Sequence, residues 1–106
     1  MEVCCEGCIV IRHIVLLTFV ESATDAQIQA VEDGLSALPG RLPQLQAYVI
    51  GRDLGLNEGN ATFAVTADFA SVDDYIVYRD DPEHRRVITE HIVPILAGRT
   101  AAQYEI

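Results

Sequence analysis

The sequence predicts an α+β fold: a four-stranded antiparallel sheet, ferredoxin-like in its connections, with helices packed on one face. Three observations carry this. Apolar residues switch between strand and helix periods in the order β-α-β-β-α-α-β. Strands joined across a helix are expected to cross over right-handedly, which gives the split βαβ arrangement. A chain of 106 residues makes one domain with one modest core.

Residues 1–8 carry no pattern. From Ile9 to Phe19 the chain is rich in Ile, Val and Leu and reads as a buried strand. His13, Val15, Leu17 and Phe19 share one face of it; Arg12, Ile14, Leu16 and Thr18 share the other. Thr24 and Gln27 have the spacing of a capping box, which opens a helix carrying Ile28, Val31, Leu35 and Leu38. Pro39-Gly40 stops it. Gly34 costs about 1 kcal/mol against Ala in a helix interior, which points to close packing there.

Residues 45–53 and 61–69 read as a hairpin around the glycine- and asparagine-rich turn 55–60. Phe63, Val65, Ala67 and Phe69 fall on one face of its second strand. Ser71 caps a short helix to about Arg79. A longer helix follows, with Asp81 as N-cap and Pro82 at the first position. Pro94 should kink that helix or mark its last turn, and Gly98 should end it. Residues 99–106 alternate as a last strand, with Thr100, Ala102, Tyr104 and Ile106 on one face. Helices cover only one face of such a sheet. A second copy of the chain is the expected cover for the other, as a homodimer.

The charge balance limits function. Seven basic residues stand against 16 acidic ones, a net charge of −9, which repels nucleic acid and anionic membrane surfaces. No stretch reaches the roughly eighteen apolar residues of a membrane helix. The opening Met1-Glu2-Val3 lacks the basic start of a secretory signal. Cys4, Cys5 and Cys8 are the only cysteines, and they read as reduced thiols of a cytoplasmic protein. Three thiolates need a fourth ligand to close a zinc site and none is near, so no metal is expected. No phosphate loop, nucleophile elbow or HExxH motif is present.

His13, His84 and His91 are the residues able to move protons near neutral pH. His84 and His91 are seven apart, so on one helix they point the same way within roughly 20°, toward the sheet. Each can be a core-edge histidine tied to a carbonyl. His84 also falls in the first turn of its helix, where the dipole disfavours an imidazolium. Tyr78, across the helix junction, can place a phenol beside it. A neutral base and a phenol donor suit carbonyl chemistry: one removes an acidic α-proton, the other stabilises the enolate oxygen. Tyr75 and Tyr104 read first as core or rim aromatics. Arg85 and Arg86 either hold a substrate carboxylate or, as is commoner, pair with Asp81 or Glu90 at helical spacing.

Three stretches resemble the stress-responsive A/B barrel (Dabb) family. Residues 11–19 resemble its opening strand, Tyr75 to His84 its Tyr-x-x-x-Pro-x-His segment, and Tyr104 its last strand. The resemblance runs over 11–106 and sets residues 1–10 apart as a disordered extension. Residues 1–9 then read as dispensable, and Val10 as an alternative start. The family implies a dimeric α+β barrel in which two sheets pack face to face. A characterised plant member closes a linear polyketide by cofactor-free aldol condensation. Its catalytic Tyr and His fall on Tyr78 and His84, and a pocket His on His13. Two further pocket histidines are replaced here by Phe63 and Asp81. The resemblance thus implies catalysis by His84 and Tyr78, an apolar β-dicarbonyl substrate lined by His13, Phe63, Tyr75 and His91, and no cofactor. The other reading is a non-catalytic stress-response dimer that binds a small ligand or a protein partner.

Overall fold

Strand β1 (Ile11–Phe19) lies at the centre of a four-stranded sheet, in a computed structural model that describes residues 9–106. The three-cysteine run and its reading fall outside the described residues. β1 buries His13, Val15, Leu17 and Phe19, as the alternation predicts. The remaining strands are β2 (Ala47–Arg52), β3 (Phe63–Phe69) and β4 (Leu96–Glu105). Every neighbouring pair is antiparallel, in the order β2-β3-β1-β4, which is the ferredoxin-like order. Val10, set with the extension in the sequence reading, is tied to this sheet: its carbonyl accepts the Ile106 N–H at 2.9 Å.

Helix α1 (Asp25–Ser36) begins with the expected capping box. Thr24 Oγ1 accepts the Gln27 N–H at 3.1 Å, and Gln27 Oε1 accepts the Thr24 N–H at 2.8 Å. Val31 and Leu35 turn inward and join the buried core that also holds Val15, Phe63 and Phe69. A Cβ on Gly34 would lie 2.9 Å from Val87 Cγ2, so only a glycine lets the helices approach this closely. Gly55 and Gly59, both at positive φ, shape the β2–β3 connection, and Asp53 braces it by accepting the Gly55 N–H at 2.8 Å.

Helix α2 (Val72–Asp80) is capped by Ser71, whose Oγ accepts the Asp74 N–H. Helix α3 covers only Pro82–Val87. The sequence reading carried one helix, kinked or in its last turn at Pro94, on to Gly98. Instead a π turn spans Ile88–Ile92, a 3-10 turn spans Val93–Ile95, and β4 has begun by Leu96. Pro94 is the physical reason. It has no N–H for the Glu90 carbonyl and its ring crowds that oxygen, and the Val93 N–H just before it bonds back to Ile88 instead. The strand then pairs with β1 at once, with a register shift at Thr18/Phe19.

Candidate active site

Between the helix face of the sheet and the α2–α3 junction lies a cavity of about 190 Å³. Its depth is apolar, with Leu17 and Val65 from the sheet, Leu35 from α1, and Ile88 and Ile92 from the π turn. Polar groups enter from three sides. His13 comes from β1, Tyr75, Tyr78 and His84 from the helix junction, and Arg99 from β4.

Asp81 sets the junction. As N-cap of α3 its Oδ2 accepts the His84 N–H at 2.9 Å, and its Oδ1 accepts from Arg41 Nη2, also at 2.9 Å. The Arg41 guanidinium holds this carboxyl below its usual range. The helix interruption at Asp81, between α2 and α3, brings Tyr78 and His84 together, their rings stacked with centroids 4.1 Å apart. His84 Nδ1 is 3.3 Å from the Arg79 carbonyl oxygen. A carbonyl can only accept, so Nδ1 carries the hydrogen and Nε2 keeps the lone pair. Burial lowers the His84 pKa and keeps the ring neutral.

Tyr78 is also buried, which raises its pKa and keeps the phenol protonated. Its hydroxyl is 3.4 Å from that of Tyr48, on the helix face of β2. His13 packs 5.1 Å from the Tyr75 ring and 6.0 Å from Tyr78. Its Nδ1 accepts the Gln103 side-chain amide at 2.8 Å from the neighbouring strand β4, so its neutral ring carries the hydrogen on Nε2. Burial first, then the charge of Arg99, pushes His13 down to about 4.

Four of the sequence candidates, His13, Tyr75, Tyr78 and His84, therefore meet around one cavity. Phe63 and His91 do not line it. Phe63 is fully buried, 6.2 Å from Phe19, opposite Leu17 and four residues along β3 from the partner of His13. His91 sits in the π turn, where five residues span what α-helix spacing covers with four, so it rotates out of the line of His84. Arg86 pairs with Glu83 and Glu90, whereas Arg85 lines the cavity. Among the described residues, no three His, Cys, Asp or Glu side chains converge as a metal site would need.

Tyr48, Gln103 and Arg99 escaped the sequence reading. For the last two a signal existed. Alternation in residues 99–106 puts Arg99 and Gln103 on the face opposite Tyr104, which is the cavity face.

Comparison with known proteins agrees with this architecture. The sequence profile of the stress responsive A/B barrel domain matches residues 11–106. A dimeric ferredoxin-like protein of unknown function from Thermobifida fusca is 40% identical across 94% of this chain and 93% of its own, with a TM-score of 0.86. Hydroxynitrile lyase from Passiflora edulis is 23% identical, covering 92% of this chain and 93% of its own, at a TM-score of 0.79. A Dabb family protein of ferredoxin-like fold from Mesorhizobium loti reaches 0.74 at 18% identity, covering 91% and 95%. These last two speak for the fold alone. No curated protein matches the chain significantly in sequence. The profile match over nearly the whole chain and the 40% identity to a ferredoxin-like relative lead to one conclusion: this chain belongs to the stress responsive A/B barrel (Dabb) family.

Proposed function

We propose that this protein is a cofactor-independent acid–base catalyst, polyketide cyclase-like, acting on an apolar β-dicarbonyl substrate. The observation that carries the reading is the stacked Tyr78–His84 pair on the cavity wall, with the His84 Nδ1 hydrogen committed to the Arg79 carbonyl. His84 Nε2 takes a proton from the carbon between two carbonyls. The enolate oxygen receives a hydrogen bond from Tyr78, whose own oxygen can accept from Tyr48. The enolate carbon attacks a second carbonyl of the same chain, and the imidazolium returns its proton to the new alkoxide. That is an intramolecular aldol addition, balanced without a co-reactant. The existence of a hydroxynitrile lyase with this fold supports the idea that the scaffold can carry catalysis.

The same proposal includes a homodimer and a cytoplasmic setting, the latter resting on the cysteine distribution. The sheet face away from the helices exposes Leu16, Val49, Tyr104 and Ile106, and a second copy would cover it. The 40% identical relative is described as dimeric, which supports this.

The test is turnover of a panel of linear β-dicarbonyl compounds by the wild type, His84→Ala and Tyr78→Phe. Acid–base groups and single enolate donors each contribute about 10²–10⁴ in rate, so each variant should lose at least that order while still binding substrate. Activity should fall as pH drops through the His84 pKa, below the ordinary histidine value, because only the neutral ring accepts the proton. Wild-type turnover by His84→Ala would end the reading. Ligand binding without any turnover would favour the non-catalytic dimer.

A further inference from the structure

The cavity holds an electrostatic asymmetry that the acid–base reading does not use. All seven basic residues are arginines, in a chain with 16 acidic side chains. Five are ion-paired: Arg12 with Asp68, Arg41 with Asp81, Arg52 with Asp25 and Glu32, Arg79 with Asp80, and Arg86 with Glu83 and Glu90. Arg85 and Arg99 have no carboxylate partner among the described residues. Both line the same cavity, and among the described residues no Asp or Glu lines it with them.

They arrive from opposite walls. Arg85 follows His84 on α3, and Arg99 stands on β4 opposite Leu17. Both are solvent-exposed, so they mark the mouth, while the depth remains apolar. Their charges reach the cavity histidines: burial is the main cause of the lowered pKa of both, and Arg99 adds to it at His13 and Arg85 at His84. The mouth opens on the helix side of the sheet, away from the face a second copy would cover.

We propose that Arg85 and Arg99 select a ligand with an apolar body and a free carboxylate, the head held at the mouth and the chain in the cavity. Each guanidinium offers a planar donor fork that fits a carboxylate. No glycine-rich backbone cradle accompanies them, as a phosphate site would favour. The inference deepens the substrate reading above and rests on it for the identity of the occupied cavity. It makes the substrate a β-dicarbonyl acid rather than its ester.

Calorimetric titration of octanoate, methyl octanoate and octyl phosphate tests it, using the full chain, Arg85→Gln, Arg99→Gln and the double variant. Both arginines are exposed and have no ion-pair partner among the described residues, so the variants should keep the wild-type melting temperature. Octanoate should bind about ten-fold or more tighter than its ester, as a charge-assisted contact predicts, and should weaken with salt. The double variant should lose that preference while ester affinity stays unchanged. Equal affinity for acid and ester, tighter binding of the phosphate, no octanoate binding at millimolar concentration, or a preference that survives in the double variant would overturn it. His84→Ala should keep the acid preference. If it does while no panel compound turns over, the catalytic reading falls and this one stands.

Discussion

His13 and His84 carry the same ring in opposite hydrogen-bonded settings. An amide donor on Nδ1 leaves His13 with its hydrogen on Nε2, and a carbonyl acceptor leaves His84 with a bare Nε2. Burial of His13 has a measurable cost. Its folded pKa of about 4 lies below the ordinary 6.5, so the unfolded chain takes up the proton first as pH falls. The contribution to stability is intact above pH 6.5, declines as pH drops toward 4, and stays lost below that. The shift corresponds to roughly 3 kcal/mol across this window. Subtracting the urea-unfolding stability of His13→Leu from that of the wild type at each pH should recover this acid limb; parallel curves would refute it. The sequence made the candidates visible through their scarcity and their strand or helix phase. It could not show Gln103 on His13, because that contact joins residues 90 apart through strand pairing.

At the scale of elements, local chemistry was readable and hydrogen-bond spacing was not. Thr24, Ser71 and Asp81 each cap the helix expected of them, because a cap is decided within four residues. The π turn has no such local signature; Pro94 announced an interruption without saying which way the bonds would shift. Gly34 ties α1 to the site through Val87, three residues beyond His84 on α3. Gly34→Ala should gain about 1 kcal/mol in helix propensity but lose about 1–3 kcal/mol by forcing a methyl into buried Val87. The expected sum is a loss of about 1 kcal/mol in thermal or urea unfolding. Adding Val87→Ala to Gly34→Ala should relieve the clash, although the smaller residue brings a loss of its own in the core. A Gly34→Ala protein more stable than the wild type would show that the helices can part freely.

For the whole molecule, the sheet is a single layer with helices on one side, and the thinnest extent is only 19 Å. The apolar alternation of β1, β3 and β4 revealed two-sided strands, and the element order gave the topology, so the fold was largely legible before the structure. The open face carries Leu16, four residues along β1 from Arg12, whose ion pair with Asp68 bridges β1 and β3 through two contacts of 2.9 Å. If a second copy covers this face, Leu16→Glu puts an unpaired charge into that contact and should convert a dimer to a monomer in light scattering. The buried core of the subunit lies on the other side, so far-UV circular dichroism should change little. A Leu16→Glu protein that remains dimeric would place the contact elsewhere.

The π turn also gives the chain a phase boundary. Before it, α3 is aligned to present His84 and bury Val87; at its end and just beyond, Ile92 and Ile95 are aligned to reach the core. The surplus residue between those alignments lets each keep its own angle. Swapping the exposed Thr89 for another side chain leaves both alignments alone, whereas deleting it turns everything on one side by about 100°, the angle of one helical residue. Length, rather than side-chain identity, is what this segment must preserve.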